Sequence, residues 1–167
     1  MNKLFGASIA MVVLLAAPAL AQTAKFIKKH GDWSVYANDA GGKKTCFVVA
    51  QPRDSKPKNV KRDPIYFYVS NWPADNVTGE ISIKMGYPLK PGVPLEIAIG
   101  DNKFEGFTKG EGGYVEKAAD EAKVAAAMKA GSVMVVQGRS TRGTLTTDEY
   151  SLSGVTDALN AAAEACK

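Results

Sequence analysis

Histidine is almost missing from this chain: His30 is the single one in 167 residues. One imidazole excludes paired-histidine metal sites, and any Ser-His-Asp system would have to rest on His30. No GxSxG elbow presents a serine to it. The segment KFIKKHGD lies near the start of the chain, so His30 reads as solvated, in a mobile stretch unsuited to a general base. Cysteine is nearly as scarce, with Cys46 and Cys166 alone and neither in a CxxC pair. Ser55 and Lys58 spell SxxK, but Pro57 prevents the helix that would align them. The glycine-rich GEGGY at Gly110–Tyr114 lacks the GK[ST] or GxGxxG of a phosphate loop and reads as a flexible turn. Asp148-Glu149 reads as the exposed side of a strand. No DxDxDG calcium loop is present. Together these absences predict no catalytic residues, no metal and no cofactor.

Long apolar runs are also lacking, except at the start. MNKLFGASIAMVVLLAAPALAQ opens with Lys3, continues apolar from about Leu4 to Leu15, and ends on the small-x-small pattern Ala19-Leu20-Ala21. The run falls short of the ~20 residues of a membrane span. It predicts a secretory leader over residues 1–21, cleaved after Ala21, and a single mature domain over 22–167. The mature protein is then exported, periplasmic or beyond, with no transmembrane segment. The formal net charge of +4 falls to +3 when Lys3 leaves with the leader. Such a mildly basic balance does not call for nucleic acid, and no nucleic-acid motif accompanies it.

Export gives the two cysteines a meaning. In an oxidising compartment an even count suggests a disulfide. Val155, Ala158, Leu159, Ala162 and Cys166 form one stripe of a 3.6-residue helix, which turns Cys166 towards the core. Cys46, Val48 and Ala50 share one face of the run KTCFVVAQ. A Cys46–Cys166 bridge would staple the last helical turn to an early strand.

What the chain has in quantity is alternation. GDWSVYAND and KTCFVVAQ form an N-terminal hairpin across Gly41-Gly42-Lys43. IYFYVSNW, EISIKMGY, PLEIAIGD and KFEGF follow as further strands, and SVMVVQGRSTRGTLTTDEYSLSG as a second hairpin turning near Ser140–Gly143. PRDSKPKNVKRDP and YPLKPGVP read as loops. VEKAADEAKVAAAMKAG predicts a helix with a thin stripe at Val124, Ala125 and Met128, ending at Gly131. Ser153 marks the expected N-cap region of the C-terminal helix. The fold class is therefore mainly β: antiparallel, β-sandwich-like sheets with two helices, one before the last hairpin and one C-terminal.

A basic cluster stands out in one loop. Arg53, Lys56, Lys58, Lys61 and Arg62 fall close together and are followed by Tyr66, Tyr68 and Trp72. They form the candidate partner-binding surface, with lipopolysaccharide, phospholipid headgroups or peptidoglycan carboxylates as possible anionic partners. A solvated loop with aromatics covering the second face of a sheet is the plainer alternative.

Several segments in succession, GDWSVY, CFVVAQP, ISIKMGYPLKPGVPLEIAIGDNKFEGF, AAAMKAGSVMVVQGRSTRGTLTTDEYSLSGVTDAL and the final AC, resemble the invasion-associated locus B family of exported Gram-negative proteins. The resemblance implies a leader, a mainly β fold, no cofactor and a link with entry into host cells. Several members carry further cysteines in the stretch matching GFTKGEGGY, where this chain has none. The combined expectation is a non-enzymatic envelope protein that binds an envelope or host-surface component. A chaperone-like periplasmic factor is the alternative, and a small hydrolase the third.

Overall fold

The computed structural model describes residues 24–167; the predicted leader and its cleavage site lie outside the described residues. The strands are β1 (Lys25–His30), β2 (Trp33–Ala40), β3 (Lys43–Ala50), β4 (Asp54–Lys56), β5 (Tyr66–Trp72), β6 (Val77–Lys84), β7 (Leu95–Ile99), β8 (Asn102–Lys109), β9 (Gly112–Tyr114), β10 (Val133–Arg139) and β11 (Leu145–Ser151). Helices α1 (Ala118–Ala130) and α2 (Val155–Ala165) complete the fold. The strands pair antiparallel in the order β1-β2-β3-β5-β6-β9-β8-β7-β10-β11-β4.

This ribbon folds over at β8. Its first part pairs with β7 from Asn102 to Gly106, and its last part with β9 from Phe107 to Lys109. Gly106 lies where the pairing changes, and a Cβ there would come within 2.7 Å of the Tyr114 carbonyl oxygen. A strand bend with close backbone approach is a usual role for glycine. We call the β1-to-β9 half sheet I and the β7-to-β4 half sheet II.

The alternating positions predicted from sequence form the core. Val35 faces Val48, Val48 faces Val69, and Val69 faces Ile81 across sheet I. Leu95, Ile97, Met134 and Val136 answer from sheet II, all fully buried. Trp33, Phe67 and Tyr150 join the two sheets through edge-on ring contacts, with centroids 6.0 and 5.8 Å apart. The Trp33 indole N–H also donates to the Ser151 carbonyl at 3.0 Å. α2 buries Val155, Ala158 and Ala162 on the stripe predicted for it. Cys166 is bridged to Cys46, with Cα atoms 5.7 Å apart.

Several local expectations are corrected. KFIKKH is an ordered edge strand, β1, and His30 closes it with a buried Nε2, because the strand pairs with β2 along its length. The proline-rich basic stretch contains β4, which completes the edge of sheet II against β11. Gly112–Tyr114 of the expected flexible turn is β9, paired with both β6 and β8. Within the expected N-cap region of α2 the cap residue itself is Gly154, with no side-chain cap hydrogen bond. Gly154 and Gly31 both have positive φ, and a Cβ on either would come within 2.4 Å of a backbone atom of the other's segment. Asp32 N–H donates to Ser153 O at 3.1 Å in the same place. Here the backbone comes too close for a side-chain hydroxyl to cap the helix.

Candidate functional site

Sheet I turns one face to the core and the other outward. Because side chains alternate along a strand, burying Val35, Cys46, Val48, Phe67 and Val69 places Tyr36, Thr45, Phe47, Tyr68 and Ser70 on the outer face. Polar residues commonly fill such positions; here aromatic rings do. Phe26 on β1 packs edge-on to Tyr36 on β2 at 5.5 Å, and Tyr36 stacks on Phe47 of β3 at 5.5 Å. Phe47 meets Tyr68 of β5 at 6.0 Å, and Tyr68 lies 5.8 Å from Tyr66. Beyond Ser82 of β6, Tyr114 of β9 stacks with Phe107 of β8 at 5.3 Å. Phe26 and Phe107 stay about half exposed, at 51% and 47%. Burial, and secondarily the neighbouring Tyr66, hold the Tyr68 hydroxyl above the usual phenol range.

Three concavities follow this row. One, of about 470 Å³, includes Lys29, Asp32, Tyr36, Arg53 and Tyr66 in its lining. The second, of about 320 Å³, lies over β2, β3, β5 and β6 beside Phe47, Tyr68 and Trp72. The third, of about 550 Å³, lies beside Phe107, Tyr114 and the start of α1. There Glu121 turns inward and its Oε1 accepts the Ile81 N–H at 3.0 Å. Burial raises the Glu121 carboxyl above its ordinary value, opposed by that hydrogen bond and reinforced by Glu80.

The predicted basic surface separates into different roles. Arg62 is not a surface cation: its guanidinium grips both carboxylate oxygens of Asp148 at 2.7 Å and donates to Met85 O at 3.1 and 2.8 Å. It also lies 4.9 Å from the Tyr87 ring centroid. Asp148, expected on an exposed strand side, is fully buried, because β4 and the loop after it cover that part of β11. Arg53 pairs with Asp32, and Lys58 with Asp54. Lys56 and Lys61 are exposed and have no ion-pair partner among the described residues. The intrinsic positive charge of the loop is thus largely answered from within the protein.

Tyr66, Tyr68 and Trp72 do lie on the outer face, while Lys56, Lys58 and Lys61 stand apart from the ring row. Phe26, Tyr36, Phe47, Phe107 and Tyr114 belong to the row but not to the surface expected from sequence. For Tyr36 and Phe47 the sequence does hold a signal, since aromatic rings occupy the out-of-phase positions of an alternating hairpin. For Phe107 and Tyr114 it holds none, because their meeting depends on the turn of β8 from one sheet to the other. Among the described residues no cluster of side chains suited to a metal is found, and no helix is long and apolar enough to cross a membrane.

Fold and site define a disulfide-stapled, two-helix β-sandwich with an aromatic outer sheet face. The chain belongs to the invasion associated locus B (IalB) protein family, whose model matches residues 33–163. Its fold is similar to that in the crystal structure of invasion associated protein b from Bartonella henselae, with a TM-score of 0.58 and 18% identity over 82% of this chain and 94% of that one. No curated relative matches the sequence.

Proposed function

We propose that this protein is an exported, non-catalytic envelope protein that binds an envelope or host-surface component through the outer face of sheet I. The row of rings from Phe26 to Phe107, left open on a face whose counterpart forms the core, carries the reading. Aromatic side chains offer large rigid contact area with a polar tip, and are enriched at binding surfaces for that reason. The leader-like residues 1–21 and the disulfide support export to an oxidising periplasm. Family membership supports a role in host interaction. Lys56 and Lys61 contribute only steering towards anionic surfaces.

Retention of the purified mature protein on isolated envelopes and on host cells tests this. Tyr36→Ser with Tyr66→Ser should reduce retention at least tenfold while the far-UV spectrum stays unchanged. Lys56→Gln with Lys61→Gln should weaken it only modestly, and only at low salt. Full retention by the tyrosine variant would remove the outer face from the function.

A further inference from the structure

We infer that the concavity over β2, β3, β5 and β6 is a saccharide site that takes one neutral pyranose residue of a larger glycan. The inference rests on the outer face being the binding face and names the chemistry it recognises. Phe47, Tyr68 and Trp72 supply rings, while Asn38, Ser82 and Glu80 supply an amide, a hydroxyl and a carboxylate in the same lining. A pyranose has the same division: one face of C–H groups, and a rim of hydroxyls that both donate and accept. The negative ring faces attract the C–H groups, and the polar groups fix orientation.

Asn38 provides the specific demand. The oxygen of its amide is buried and has no hydrogen-bond partner among the described residues. Thr45 faces Asn38 from β3 but leaves this acceptor unanswered. An acceptor left unanswered is costly, and a turn of the Asn38 amide towards the concavity would bring its oxygen to a sugar hydroxyl that supplies the donor. A wholly apolar ligand would leave the Asn38 oxygen unanswered and would desolvate the Glu80 carboxylate with no compensation.

Charge decides which sugars fit. Glu80 is the single charged residue in this lining, and no lysine or arginine joins it. Phosphorylated, sulfated or uronic residues would meet a carboxylate without a counter-charge, so a neutral hexose or N-acetylhexosamine is the fitting class. The volume of about 320 Å³ sits at the small end of ligand sites and suits one ring, not an extended chain. Neutral pyranoses occur both in the glycan strands of the cell wall and on host surfaces, and the chemistry of the site is the same for either.

Titration of ¹⁵N-labelled mature protein followed by NMR tests the inference, with the N-acetylglucosamine trimer as the cell-wall type of probe and lactose as the host type. Saturable shifts are expected at the Asn38, Thr45 and Ser70 amides and the Trp72 indole, and the tighter of the two probes identifies the source. Glucose 6-phosphate should bind at least tenfold more weakly than glucose. Asn38→Leu and, separately, Trp72→Ala should each weaken the better probe about tenfold; the exposed Trp72 position guards against loss of folding in the first variant. Absence of saturable shifts with both sugars, or affinities unchanged by both variants, would overturn the saccharide site. If the Tyr36 and Tyr66 variant still lost retention on envelopes or cells in that event, the outer face would remain the binding face, with a protein as its partner.

Discussion

Asp148 carries a full carboxylate with none of its surface exposed, and Arg62, 86 residues earlier, answers it through two hydrogen bonds. Burying such a pair contributes little net stability, but removing one member strands a charge. Arg62→Met should therefore destabilise the protein by about 3–5 kcal/mol. The double change with Asp148→Leu should recover much of that loss. Urea denaturation decides: a single variant as stable as the wild type would contradict the role. Glu121 gives the opposite sign. Its folded carboxyl lies above the ordinary value of 4.5, chiefly through burial. The stability linked to that shift is fully present below about 4.5 and is lost as pH rises through the higher folded value. Glu121→Gln can still accept the Ile81 N–H and does not ionise. Its melting temperature relative to wild type should rise as pH increases from 4 to 7, and a pH-independent difference would refute the account.

At the scale of elements, α2 shows how a helix with little apolar area is held. Its buried contacts are Val155, Ala158 and Ala162, small side chains that bury limited surface. The bridge from Cys166 to Cys46 closes a separation of 120 residues and fixes the last turn against β3. Cys166→Ala should cost roughly 2–5 kcal/mol in denaturant unfolding. Adding Cys46→Ala should cost no more than the worse single change, since one bond is lost either way. Single variants that unfold like wild type would end the staple explanation. At its start α2 is also held by backbone contact, where Gly31 and Gly154 let the β1–β2 turn and the helix entry touch.

For the whole molecule, two edges and one open face govern its meetings with other chains. β1 is edge-protected by Lys25, Lys28, Lys29 and an irregularity at Ile27, and β4 is only three residues long. Both are usual defences against edge-to-edge aggregation. The surface proposed for recognition is the outer face of sheet I, not an edge. Export is the remaining condition, and mass spectrometry of protein recovered from the periplasmic fraction should find Gln22 as its first residue. Membrane-bound protein that keeps Met1 would show that the leader is not cleaved.

Residues whose partners are set by local pattern are legible in the sequence alone. Alternation places Val35, Val48, Val69, Ile81 and Ile97 in the core, because a strand has a fixed period of two. The helical stripe ending in Cys166 points to a bridge with Cys46, because the leader pattern predicts export and an oxidising compartment favours pairing of two thiols. Arg62 and Asp148 give no such signal: a charge run looks the same whether solvent or a buried carboxylate receives each side chain. The aromatic row likewise draws on β1, β2, β3, β5, β8 and β9, and only pairing across intervening segments brings the last three beside the N-terminal strands. Sequence period determined which face of each strand is apolar. Tertiary structure decided which of those faces met the core, which charges were neutralised, and which rings were left together on the outer face.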